Sequence, residues 1–281
     1  MNSYINIFCF IGITIFYFLA LKPKVTYDIL SSDTLRIDYF KNNLIYLAVY
    51  ILLAILTQFL LNAYIITNNC GGSIPQNMGT AGLMTLLPWI FIFGGMISIL
   101  IVFPGFKSAF SDVVGYYFVS NAASKILNDL LIDAEVYQEI ETSAAGNTEK
   151  LDALKATASL ITKLTGNMSL LINKIVPSNF IQFWDLLKPL MKEEYKEGEN
   201  AISMRDSLLG LASVRDSIGE GMWFLYTGIL LVSIIQFNMA SRGCVTNLAT
   251  MQKNYANFQE QEQKAASQAA NTPSTVYTIT N

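Results

Sequence analysis

LIYLAVYILLAILTQFLLNAYIIT, residues 44 to 67, is a run of 24 positions without one charged side chain. At 1.5 Å rise per residue a helix of that length spans roughly 36 Å, more than the ~30 Å of a bilayer's hydrocarbon core. Two further stretches read the same way: LMTLLPWIFIFGGMISILIVFPGF, Leu83 to Phe106, and GMWFLYTGILLVSIIQFNMAS, Gly221 to Ser241. A fourth apolar run, Tyr4 to Leu21, opens the chain. None of them alternates as a barrel strand would, so at membrane depth their backbone groups must be satisfied inside helices. The expected fold is all-α, a four-helix integral membrane protein. The first run has no basic stretch before it and no small-x-small cleavage site after it, and it is read as a retained helix, not as a signal peptide.

Composition fits that reading, with 52% hydrophobic and 14% charged residues and a mean hydropathy of +0.40, more apolar than an ordinary soluble domain. The charges collect from Lys22 to Lys41, from Lys107 to Glu220 and beyond Arg242. They divide the chain into three spans with short loops (1–106), an inserted helical extramembrane domain (107–219), a fourth span (220–243) and a polar tail (244–281). Within the insertion, Ser120 is placed to cap a helix carrying Ile126, Leu127, Leu130 and Leu131. The pattern breaks near Gly146 and restarts from Thr148 through Leu151, Leu154, Ala158 and Ile161. Pro177 opens another helix whose Phe180, Phe183, Trp184 and Leu187 share one face, read as core packing; Lys192 to Glu199 reads as a solvated loop. A last helix from Ala201 leads through Glu220 into the fourth span. Lys22, Lys24, Arg36 and Lys41 precede the second span, whereas 68–82 carries no charge. The positive-inside rule therefore puts the first loop and the long insertion in the cytosol.

Net charge of −3 and the lack of a basic stripe argue against nucleic acid as a partner. The chain has no histidine, which removes imidazole acid–base chemistry and His-containing zinc sites. No phosphate loop, zincin, nucleophile-elbow or dinucleotide motif is present. The expectation is a protein that is not an enzyme, with no catalytic residues, metal, cofactor or small-molecule substrate. Cys9 lies inside the first span, while Cys70 and Cys244 follow the second and fourth spans on the same side. In an oxidising compartment that pair can bridge; two free interfacial thiols are the alternative.

Among the polar side chains that interrupt the spans are Thr14, Gln58, Asn62, Ser233, Gln236 and Asn238. Gln58 and Asn62 lie four apart on one helical face, the spacing of interhelical hydrogen bonds, as are expected also of Gln236 and Asn238. Pro88, Gly94 and Gly95 permit a kink or a close approach in the third span.

Three stretches carry a resemblance: NNCGGSIPQNMG at 68–79, FPGFKSAFSDVVGYY at 103–117 and VRDSIGEGMWFLYTGILLVSIIQFNMASRGC at 214–244. They are similar to multi-span virion membrane and minor capsid proteins of the nucleocytoplasmic large DNA viruses. That family has a Cys-Gly-Gly loop, a Phe-Pro-Gly-Trp loop running into Ser-Asn-Thr-Phe-Gly, and a Trp-Tyr-x-x-Thr-Gly span ending in Gly-Cys. Here Phe106 replaces the loop Trp, and Ser111, Asp112 and Val113 replace Ser-Asn-Thr. Trp223, Thr227 and Gly228 match, and the cysteines fall at Cys70 and Cys244. The resemblance implies a structural protein of the internal virion membrane, assembled on host ER-derived membrane. Its partners would be the bilayer, other minor capsid proteins and, as a further candidate, the major capsid protein. It also favours the Cys70–Cys244 bridge, because such viruses often carry their own thiol oxidase. The interaction candidates are Pro104, Gly105, Phe106, Lys107, Phe110, Tyr116 and Trp223. The rival functions are a membrane penetration or fusion component and, further off, a channel or transporter, for which Gln58, Asn62, Gln236 and Asn238 are the available pore-lining groups.

Overall fold

Residues 4–131, 167–242 and 248–270 are described by the structure, a computed structural model. It is all-α, and the closest thing to a sheet among the described residues is an isolated bridge between Leu131 and Met191. Helix α1 covers Tyr4–Leu21, α2 Tyr27–Ser31, α3 Asp33–Cys70 and α4 Ile74–Val102. Beyond Val102 a 3-10 turn (Pro104–Lys107), a short helical turn and a π turn (Ser111–Gly115) lead into α5, Tyr116–Leu130. Helices α6 (Met168–Lys174) and α7 (Phe180–Leu187) precede α8, Glu199–Arg242, and α9 is Leu248–Ala270.

Four of these, α1, α3, α4 and α8, are long and apolar enough to cross a membrane. Their packing is that of a bundle in lipid. Large apolar residues face outward, among them Leu19, Leu52, Leu83, Phe91 and Phe237, while Asn6, Thr14, Gln58, Asn62 and Thr85 are buried inside. The reverse order would hold in water, where the apolar face must turn inward.

An aromatic ladder forms the core of the bundle. The Tyr50 ring stacks on Phe224 at 5.5 Å and on Tyr17 at 4.7 Å, and Phe10 meets Trp89 edge-on at 5.3 Å. Such ring pairs contribute about 0.5–1.5 kcal/mol each beyond their burial. Gly228 makes room for them: a Cβ there would overlap the Phe10 ring.

Between α3 and α4 the expected 68–82 loop shrinks to Gly71, Gly72 and Ser73. Gly71 and Gly72 adopt φ of 74° and 85°, a region costly for side chains. The Asn77 amide donates to the Thr67 hydroxyl at 3.0 Å and the Gly71 carbonyl at 3.1 Å, and the Ser73 N–H donates to Gln76 Oε1 at 3.0 Å. These contacts explain the polar composition of NNCGGSIPQN. In α4 the backbone widens into a π turn, Trp89–Phe93, immediately after Pro88, whose missing N–H disrupts the regular ladder. The helix resumes at Gly94.

A second core lies outside the bundle. Val119, Ala123 and Leu127 of α5, Ile172 of α6, Trp184 of α7 and Leu208 of α8 belong to it. The Phe180, Trp184 and Leu187 face is buried there, and Phe183 packs against it. One expectation is corrected: Ser120 is inside α5, whose lead-in starts at Pro104, so it caps nothing. The stretch read as a solvated loop, Lys192 to Glu199, is irregular up to the start of α8 apart from one 3-10 turn, Glu193–Tyr195. The helix predicted from Thr148 and the final stretch 271–281 lie outside the described residues.

Candidate functional site

Just outside the apolar bundle, charges from two distant parts of the chain converge on α8. Lys22, directly after α1, donates to Glu220 Oε2 at 3.1 Å and Ser217 Oγ at 3.1 Å. Lys107, at the end of the 3-10 turn that follows α4, bridges Glu220 Oε2 at 2.9 Å and Asp216 Oδ2 at 2.9 Å. These bonds put the end of α1, the end of α4 and the level of Glu220 on one side of the bundle, the arrangement that alternating spans require. The four side chains are only 10–20% exposed, so the cluster is screened weakly and depends on its pairing. Burial of the Lys107 ammonium disfavours its charge, but Glu220 and Asp216 outweigh that and hold its pKa above the usual lysine value.

One turn further from the bundle, Arg215 is almost fully buried. Its guanidinium donates to Asn173 Oδ1 at 2.9 Å and the Ile175 carbonyl at 3.1 Å, with Asp112 at 3.4 Å. It ties α6 and the π turn to α8. The backbones approach closely there: a Cβ on Gly115 would lie 2.6 Å from the Arg215 carbonyl oxygen, and one on Gly219 2.8 Å from the Lys107 carbonyl oxygen.

The interaction candidates separate into two groups. Pro104, Gly105 and Phe106 are exposed, and Trp223 Nε1 donates to the Phe106 carbonyl at 2.9 Å while packing edge-on against Phe110 at 5.1 Å. This makes an aromatic collar where α4 and α8 leave the apolar slab. Lys107 and Tyr116 do not belong to an outer surface. The Lys107 ammonium is consumed by the internal cluster, and Tyr116 packs on the second core.

Within the bundle, Asn62 accepts from Asn6 Nδ2 at 2.8 Å and donates to Thr85 Oγ1 at 2.9 Å, and Gln58 donates to the Asn6 carbonyl at 2.9 Å. The pair from α3 thus reaches α1 and α4, which leaves neither side chain lining an aqueous path. Gln236 is half-buried and has a bonding partner. Asn238 is exposed and makes no hydrogen bond among the described residues, which corrects its reading as an interhelical contact. At 100° per residue Met239 falls closer than Asn238 to the direction of buried Ile235, and Met239 takes the packing contact. Cys9 is a free thiol, Cys70 is not free, and Cys244 lies outside the described residues.

Lys22, Asp216, Glu220, Arg215, Asn6 and Thr85 were not singled out from sequence as site residues. The signal for the first group was present, since Lys22, Lys107 and Glu220 each flank an apolar run on the same expected side. Among the described residues no cluster of three His, Cys, Asp or Glu is placed to hold a metal ion. Comparison with protein-family models, curated proteins and solved structures finds no match to this chain.

Proposed function

We propose that the chain is a structural, membrane-anchored minor capsid protein of a nucleocytoplasmic large DNA virus, linking the internal virion membrane to the icosahedral shell. The observation that carries the reading is α8. Its 44 residues form one helix of ~66 Å at 1.5 Å per residue, about twice the bilayer core. One end belongs to the membrane bundle and the other to the extramembrane core. With the lead-in to α5 packed backbone to backbone against it, α8 is a stiff post standing on the membrane, which an anchor between membrane and shell needs. Such a role requires no catalytic centre. Exposed Val113, Tyr117 and Phe118 offer an apolar surface along this post, the kind that protein partners cover. The similarity of the 68–79, 103–117 and 214–244 stretches to virion membrane proteins supports the same reading.

The test is quantitative mass spectrometry of purified particles before and after mild detergent strips the internal membrane, with thiols alkylated but not reduced. The expected result is an abundant protein, a fraction of which stays with the shell, with peptides of Cys70 and Cys244 recovered as a linked pair. Its absence from particles would overturn the assignment, and full release with the lipid would remove the link to the shell.

A further inference from the structure

A large groove, about 1480 Å³, opens alongside the charge cluster. It exceeds the roughly 300–1,000 Å³ of a pocket for a drug-sized ligand. Its lining changes character along the membrane normal. At the bundle end it is apolar, with Ile15 of α1, Leu47 of α3, Ile101 of α4 and Phe224 of α8. At the level where these helices leave the slab it becomes cationic. Five cationic side chains line it, Lys22, Lys24, Arg36, Lys107 and Arg215, against the carboxylates of Asp112, Asp216 and Glu220. Three of the cations are bound to those carboxylates. Two are not. Lys24 is exposed and has no hydrogen bond or ion pair among the described residues, and Arg36 holds only the exposed Asp33, one turn away on its own helix. The Tyr39 hydroxyl, one turn after Arg36, donates to the carbonyl of Pro23, the neighbour of Lys24, at 3.4 Å and ties the two stretches together.

We propose that the groove is a binding site for one anionic glycerophospholipid, its acyl chains along the Ile15, Leu47 and Ile101 wall and its headgroup beside Lys24 and Arg36. An apolar tail joined to a phosphate headgroup matches the order of the lining and its surplus of positive charge. The site rests on the membrane placement of the bundle alone and is independent of the capsid reading.

Native mass spectrometry of the full chain in mixed micelles of phosphatidylglycerol and phosphatidylcholine tests it. The wild-type protein is expected to retain one phospholipid, enriched in phosphatidylglycerol over the micelle composition. Lys24→Gln and Arg36→Gln should each reduce that enrichment about fivefold, with unchanged melting because both side chains are exposed. Ile101→Trp, at a position 39% exposed, should reduce retention of both lipids by filling the apolar end. Retained lipid that mirrors the bulk mixture, enrichment that survives the Lys24→Gln/Arg36→Gln double substitution, or retention unaffected by Ile101→Trp would each overturn the proposal.

Discussion

Glu220 receives two lysines that lie 198 and 113 positions before it, and one carboxylate oxygen serves both. Removing a partner from a poorly solvated pair strands the other charge, at a cost on the order of 3–5 kcal/mol. Glu220→Ala is expected to destabilise the protein by about that much in detergent. A Lys22→Ala/Glu220→Ala double-mutant cycle followed by thermal unfolding should return a coupling of about 1 kcal/mol or more; coupling near zero would mean that the two groups fold independently. Gly228 poses the opposite problem, that of volume. Phe10 is fully buried among Trp89 and Phe93 and has nowhere to turn. Gly228→Ala should therefore cost about 1–3 kcal/mol, and Phe10→Leu introduced beside it should recover part of the loss. Equal melting of Gly228→Ala and wild type would contradict the packing described. Neither requirement is readable at position 220 or 228 alone, because each arises from a side chain more than a hundred residues away.

Among the elements, α8 separates two glycines that look alike in sequence. Gly210 is exposed and a Cβ there would meet nothing within 4 Å, whereas Gly219 sits against the Ser111 side chain and the Lys107 carbonyl. Gly210→Ala is expected to stabilise the helix by about 0.5–1 kcal/mol through lost unfolded-state freedom. Gly219→Ala should destabilise by a similar or larger amount, since the atoms it would strike include backbone. Unfolding curves of the two variants, shifted in opposite directions, check this. The apolar runs marked which helices exist but not how long they are. Leu44 to Thr67 grows into Asp33–Cys70 because Ser32 accepts from the Leu35 N–H at 3.5 Å to start the helix, and Gly71 ends it. Hydropathy reports the thickness of the apolar slab, and capping reports where the helix stops. For the same reason the 68–82 loop read from its lack of hydrophobicity is mostly helix.

For the whole molecule, the ion pairs at Glu220 join the ends of α1 and α4 to the start of the fourth span, and the excess of positive charge before the second span predicts that this side faces the cytosol. An internal reporter exists. Asn167-Met168-Ser169 is an N-glycosylation acceptor in the extramembrane segment, and Asn167 is exposed. In the stated orientation it stays unmodified when the chain is expressed in a eukaryotic cell. A mobility shift removed by a glycosidase would show that the molecule inserts the other way round.

The sequence by itself determined four membrane-length helices and their alternation, because burial of a backbone in lipid leaves no other solution for charge-free runs of this length; for the described part of the insertion the apolar spacing marked helices. It also marked Gln58 and Asn62, since an amide in lipid must find a partner. Tertiary structure decided which partner. Asn6 and Thr85 close that network, Lys22 and Lys107 converge on Glu220, and Lys107 and Tyr116 turn inward from the surface predicted for them. These outcomes depend on the rotation and relative height of whole helices, which are set by the summed packing of Gly115, Gly219, Gly228 and the aromatic ladder and by no local pattern in the chain.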